Sequence, residues 1–195
     1  MVWTNVATIK VKTFDCGFCD RHVGSERGYS REYKVGEPHR QSSHTDHIYI
    51  CPNCHRPNYF TDRGHQVPAV RPGDAVASLP DHVRALYNEA RDCCSVGAYT
   101  ASVLASRKLL MNIAVSKDAK EGLNFVEYIN YLEERHYTPP NSREWVDHIR
   151  SKGNEATHEI ALMSSDDARE LILFTEMLQK FIYEFPSRVP KKTGS

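Results

Sequence analysis

The 195-residue sequence lacks a long hydrophobic run. No stretch approaches the roughly 18 apolar residues that a membrane helix needs, and mean hydropathy is −0.56, so no membrane partner is expected. It also lacks an excess of charge of either sign, with 25 Lys and Arg against 25 Asp and Glu, and ten His besides. A generic polyanion binder carries a strong basic surplus, so any nucleic-acid contact is expected from a local patch. The opening residues Met1-Val2-Trp3-Thr4-Asn5 offer neither a basic nor a long apolar stretch. No signal peptide or anchor is therefore expected, and the expected setting is cytoplasmic. Internal repeats are missing too, which sets repeat architectures aside.

Six cysteines are present, and four of them form two Cys-x-x-Cys pairs: Cys16-Gly17-Phe18-Cys19 and Cys51-Pro52-Asn53-Cys54. A thiolate pair at this spacing folds a tight knuckle whose backbone N–H groups point at sulfur, and two knuckles supply the four tetrahedral ligands of a structural zinc. Gly17 and Pro52-Asn53 suit such turns. The competing readings are a redox pair, which usually occurs singly, and disulfides, which belong to secreted chains. His22, His39, His44, His47 and His55 lie between or beside the knuckles, and any of them could replace a cysteine. Four thiolates already fill a closed shell, however, so the zinc is expected to be structural, with ligands Cys16, Cys19, Cys51 and Cys54. Cys93-Cys94 reads as small buried residues at a helix end.

The length allows one or two domains, and patterning along the chain divides it. Residues 1–65 read as a small zinc-ribbon domain: β-branched Val6 to Lys12, then His47 to Ile50 entering the second knuckle and Asn58 to Thr61 leaving it. The mixed-charge segment Gly24 to Ser43 reads as a loop. Pro68, Pro72, Gly73 and Pro80 punctuate a linker over 66–78. From 79 to 186 the apolar spacing turns helical. Val83, Leu86, Tyr87, Ala90 and Cys94 mark one helix, and Ala101, Leu104, Ala105 and Leu109 the inward face of a second. Phe125, Tyr128, Ile129 and Leu132 mark a third. After Pro139-Pro140, Asn141-x-x-Glu144 resembles a capping box, and Trp145, Ile149, Ala156 and Ile160 line a fourth helix. Ser164-x-x-Asp167 starts a fifth, striped by Leu171, Phe174, Leu178, Phe181, Ile182 and Phe185 and ending at Pro186. Residues 187–195 read as a disordered basic tail. The fold class expected is mainly α: an antiparallel bundle of about five helices preceded by a small β zinc ribbon.

The fourth helix carries His148, Arg150, Lys152, Gly153, Asn154, Glu155 and His158. Asn154 and His158 share a helix face, with Arg150 one turn before them. A Gly inside a helix costs about 1 kcal/mol relative to Ala, which close packing or a ligand would offset. Ile149-Arg150-x-x-Gly153-Asn154-x-x-x-His158, Ser164-x-Asp166-Asp167-Ala168 and the closing Tyr183-Glu184-Phe185-Pro186 resemble the domain of unknown function number 4145, as do Gly97-Ala98-Tyr99-x-Ala101 and Arg107-x-Leu109-Leu110 upstream. The resemblance covers Leu79 to Pro186. It places the bundle in the HEPN superfamily and implies a prokaryotic intracellular protein, often linked to phage defence or restriction, that dimerises through the motif-bearing helix. Active HEPN ribonucleases need no metal; they use an Arg, a following polar residue and a His after three more. Asn154 and His158 match that pattern, but Gly153 stands where the Arg belongs. Arg143 and His148 also satisfy an Arg-x4-His spacing, a coincidence that ten His in 195 residues make unremarkable.

Three functions follow as expectations: a binding or assembly module for nucleic acid, a nucleotide or a defence-system protein partner; a metal-independent endoribonuclease acting at a homodimer cleft through His158, Asn154 and Arg150; or a structural adaptor. Arg21, Arg27, Arg31, Lys34 and Arg40, interleaved with Tyr29 and Tyr33, are the residues of the first part suited to phosphate contact and base stacking, although Glu26, Glu32 and Glu37 dilute them. The neutral total hides an asymmetry. Met1 to Ser78 holds ten basic and eight acidic residues, Leu79 to Phe185 twelve and seventeen, and Pro186 to Ser195 three basic ones.

Overall fold

The computed structural model describes residues 3–37, 39–139, 144–149 and 162–190. The chain divides into two compact units, Met1–Arg71 and Pro72–Ser195.

The first unit is an antiparallel meander. Strands β1 (Ala7–Asp15), β2 (His22–Val35), β3 (Ser42–Ile50), β4 (Pro57–Phe60) and β5 (Gln66–Val67) form one five-stranded sheet in chain order. Its core is small. Phe14, Tyr49 and Phe60 pack edge to face or tilted, with ring centroids 5.2–6.0 Å apart, and are buried beside Cys16 and Cys51. The Tyr49 hydroxyl donates to the Lys10 carbonyl at 2.8 Å, so this core tyrosine keeps its polar end satisfied.

This sheet overturns the expectation of a mainly α chain with a small ribbon. The molecule joins an extended five-stranded sheet to a helical C-terminal part. The error arose over Gly24 to Ser43, read as a loop and folded instead as most of a long hairpin. β2 and β3 pair continuously from Gly28↔Tyr49 to Val35↔Ser42, yet most β2 residues are exposed. A strand wetted on both faces has no apolar alternation to betray it. Cross-strand side-chain pairs hold it instead: Tyr33 stacks on His44 at 5.5 Å, and Ser30 bonds His47 at 3.0 Å.

In the second unit α1 (Asp81–Ser95), α2 (Tyr99–Ser116), α3 (Phe125–Glu134), helical residues 144–149 and α4 (Ser165–Gln179) surround one apolar core. A π-helical turn, Lys180–Glu184, carries α4 into the short α5 (Phe185–Arg188), so the chain stays helical through Pro186. Gly97, at φ +83°, turns the chain from α1 into α2, a left-handed conformation that costs glycine little. The stripes of α1 and α3 are buried as spaced, through Val83, Tyr87, Ala90 and Cys94 and through Phe125, Tyr128, Ile129 and Leu132.

The inward face of α2 differs from the one expected. Ala101 and Leu104 are exposed, whereas Ser102, Val103, Ser106, Arg107, Leu109, Leu110, Ile113 and Ala114 are buried. Three polar residues sit on the inner face, so a hydrophobic count rotates the helix. Two of them have evident partners: Ser102 Oγ donates to the Ala90 carbonyl at 2.8 Å, and the Arg107 guanidinium lies 4.5 Å from the Phe125 ring centroid. Along α4 and the helical turns that follow it, Phe174, Leu178 and Ile182 are buried, but Phe181 and Phe185 are not. Asn141, Ala156 and Ile160 lie outside the described residues.

The segment before α1 is anchored by polar contacts. Arg91, only 1% exposed, donates from Nε to the Pro72 carbonyl at 2.8 Å. Glu176 and Glu184 accept the N–H groups of Asp74 (2.9 Å) and Ala77 (3.0 Å). Among the described residues no helix is long and apolar enough to cross a membrane.

Candidate metal centre

Both knuckles are made by one backbone device. Cys16 N–H donates to the Arg21 carbonyl and Asp20 N–H to the Cys16 carbonyl, each at 3.0 Å; Cys51 N–H donates to Arg56 at 3.0 Å and His55 N–H to Cys51 at 2.9 Å. The turn needs a left-handed residue just after each second cysteine, and Asp20 (φ +57°) and His55 (φ +58°) fill those equivalent places. Asp is among the non-glycine residues that tolerate this region best. Strands β1 to β4 bring the knuckles face to face.

The four sulfur atoms of Cys16, Cys19, Cys51 and Cys54 lie within 4.8 Å of one another. Cys16 Sγ is 3.7 Å from Cys54 Sγ, and Cys19 Sγ 3.8 Å from Cys51 Sγ. Metal–sulfur bonds of about 2.3 Å in a regular tetrahedron require edges of about 3.8 Å, so both cross-knuckle edges fit such an ion. They are far longer than the ~2.05 Å of a disulfide, and all six cysteines are free.

Neighbouring donors support the sulfurs. Phe18 N–H and Asn58 Nδ2 each point at Cys16 Sγ, and Asn53 Nδ2 at Cys19 Sγ, all at 3.5 Å. Asn58 is fully buried, and its Oδ1 accepts the Gly17 N–H at 3.0 Å and Gln66 Nε2 at 3.3 Å. It therefore ties a sulfur, the first knuckle's backbone and β5 together. Arg71 grips Asp20 with two parallel bonds of 2.9 and 2.8 Å. Gly17 has no room for a side chain: a Cβ there would meet the Pro68 carbonyl oxygen at 2.5 Å.

In the metal-free chain the thiols differ in acidity. Burial pushes Cys54 up to about 12 and raises Cys51 too. Burial also works against ionisation of Cys19, but the Arg21 amide, Asn53 and adjacent thiols outweigh it and bring that group to about 7. A bound cation would supply the charge compensation that the remaining thiolates need. With four protein sulfurs in place, a tetrahedral shell has no position left for water.

None of the alternative histidines joins this cluster among the described residues. His22 Nδ1 pairs with Asp15 at 2.8 Å, His47 with Ser30, and His44 with Asp62 and Ser42. Arg143, Arg150, Asn154 and His158 lie outside the described residues; His148 Nε2 is 2.9 Å from Glu170 Oε2. Sequence spacing missed a second polar centre. Asp46 is 4% exposed and accepts Tyr59 OH at 2.6 Å, the Asp62 N–H at 3.1 Å and Tyr33 OH at 3.3 Å. The Tyr59 hydrogen bond leads in holding its carboxyl below the ordinary range, against the opposing effect of burial. These residues are scattered in sequence, and only the β2–β3–β4 register unites them.

The family model described as Domain of unknown function (DUF4145) matches residues 88–193. No curated protein and no solved structure matches the chain.

Proposed function

The chain belongs to the DUF4145 family, whose model spans just over half of it, and from that premise we propose a zinc-stapled binding module that engages single-stranded nucleic acid through its sheet. The observation that carries this reading is the face of the β2–β3 hairpin. The Arg31 guanidinium sits 5.1 Å from the Tyr33 ring centroid, and Tyr33 stacks on His44 with ring planes 24° apart. Arg27 and Arg31 are exposed an even number of residues from Tyr33, on the same face of that strand. Stacked aromatics flanked by cations offer base stacking and phosphate contact together.

Zinc is the metal proposed for Cys16, Cys19, Cys51 and Cys54. All-sulfur donors at tetrahedral spacing suit it, and the ion would act by fixing the knuckles. The helical unit is proposed as a relative of the HEPN superfamily that pairs as a homodimer in the cytoplasm, with a defence-system protein as its partner. Exposed Leu104, Leu173, Phe181 and Phe185 support a self-association face.

The test is a titration of short single-stranded RNA at increasing salt. Log affinity should fall linearly with log salt, by about 0.7 per phosphate engaged. Arg27→Ala with Arg31→Ala should weaken binding and flatten that slope; no measurable binding at low salt rejects the reading. The alternative function, endoribonuclease action through His158, Asn154 and Arg150, rests on their sequence spacing. Cleavage that disappears in His158→Ala would favour it over simple binding.

A further inference from the structure

The outer face of α4 and of the turns that follow it is apolar, where an outer helix face is ordinarily charged. From 171 to 184 every residue except Leu173 and Phe181 is buried or half-buried. Leu173, Phe181 and Phe185 are 48%, 39% and 49% exposed, and the half-buried Met177 lies between the first two.

These four residues follow one another at intervals of four. In an α-helix a row at that spacing drifts by about 40° per step, which would carry Phe185 well round from Leu173. The π-helical turn Lys180–Glu184 falls in the last of these steps. Its i→i+5 bonding turns the chain less per residue and takes drift back, so one strip continues into α5. Phe181 and Phe185 accordingly meet edge to face, with ring centroids 6.3 Å apart.

The strip is its own complement in shape and charge. Counted outward from Met177, Leu173 mirrors Phe181, Arg169 mirrors Phe185 and Asp166 mirrors Arg188. Asp166 and Arg169 are exposed, and the Arg188 side chain is 69% exposed although Glu184 of its own chain accepts from it. An isologous contact needs this self-complementarity, because the same patch serves both subunits. Two copies laid antiparallel about an axis at Met177 set Leu173 against Phe181, a guanidinium over the Phe185 ring, and Asp166 beside Arg188. A parallel pair would instead oppose Asp166 to Asp166 and Arg188 to Arg188, like charges that disfavour the contact, and would set helix ends of like polarity side by side.

We propose that the helical unit binds a second copy of itself through this strip, with the two α4 helices antiparallel and crossing at Met177. The inference rests on the homodimer reading and gives it an element, a direction and a register. It moves the pairing from the motif-bearing helix that the family resemblance implies to α4.

The test is sedimentation of the full chain across about 1–100 μM, where an interface of modest size dissociates. A reversible monomer–dimer equilibrium is expected. Phe181→Ser with Phe185→Ser should raise the dimer Kd about 30-fold or more, with the melting temperature of the monomer unchanged because both rings are exposed; Leu173→Glu should act in the same direction. Direction is read by placing p-benzoylphenylalanine at position 173 and irradiating a mixture with isotope-labelled wild-type chain. The crosslink should fall on the labelled peptide that carries Phe181 of the partner subunit. A dimer unmoved by both variants, or a crosslink around Leu173 of the partner subunit, would overturn the inference and leave a homodimer built elsewhere or in parallel. A chain that stays monomeric across the whole range overturns the homodimer reading as well.

Discussion

Asn58 shows how a single amide organises a cysteine cluster. It donates to Cys16 Sγ and accepts from Gly17 and Gln66, so Asn58→Leu removes support from a ligand and strands the buried Gly17 N–H. Outer-sphere losses of this kind typically weaken metal binding about 10–100-fold, and the unpaired N–H adds about 1–3 kcal/mol of destabilisation. Competition with a chromophoric chelator and a urea titration read the two effects separately; unchanged zinc affinity would contradict the role given to Asn58. Asp46 supports a pH prediction. Its carboxyl is held below the ordinary value, first by Tyr59, so its contribution is full above the unfolded Asp pKa of about 3.9 and is lost as pH falls through the lower folded value. Tyr59 behaves oppositely: its hydroxyl is raised, chiefly by the bond to Asp46, and its contribution fades as pH climbs above about 10. Urea midpoints should therefore drop on both sides for wild type, and Asp46→Asn should flatten the acid side. The four cysteines were legible because their spacing is local. Asn58, Asp46, His44 and Asp62 were not, because strand register, invisible in composition, brings them together.

At the scale of elements, legibility followed the location of apolar side chains. Helix α3 was readable throughout because every third or fourth residue is a large hydrophobe. Helix α2 was rotated by its buried serines and Arg107, and the β2–β3 hairpin was lost because its contacts are polar and its faces wet. Helix starts carry their own signal. The Ser164 side chain accepts the Asp167 N–H at 3.1 Å, and the Asp167 carboxylate accepts the Ser164 N–H at 2.9 Å, a reciprocal box at a position expected only to start a helix. Asn124 and Glu127 build the same box on α3 at 3.0 and 2.8 Å. Ser164→Ala should cost about 0.5–2 kcal/mol, visible as a lower urea midpoint at unchanged slope. Ser164→Asp should recover most of that loss, since Asp caps as well as Ser and favours a helix N-terminus.

For the whole molecule the two units differ in what holds them. Among the described residues, the helical unit, Pro72–Ser195, packs two dozen buried hydrophobic residues into one cluster, whereas the buried cluster beside the cysteine knuckles of Met1–Arg71 comprises Phe14, Tyr49, Phe60 and two of the cysteines themselves. A core that small rarely stabilises a fold unaided, and a structural metal commonly makes up the difference. Binding free energy at such a site is folding free energy, because the unfolded chain has no preformed site. Removal of the proposed metal should therefore act on one unit. With a strong chelator, hydrogen exchange should lose protection throughout β1 to β4 while α1 to α4 keep theirs, and readdition of zinc should restore it. Far-ultraviolet circular dichroism should accordingly keep its helical bands. Collapse of both units together on chelation would mean that the helices depend on the sheet; a sheet unmoved by chelation would mean that the polar hairpin contacts suffice without the ion. The Cys16→Ser chain provides the same comparison without chelator, and its helical unit should melt at the wild-type temperature although its sheet is unfolded.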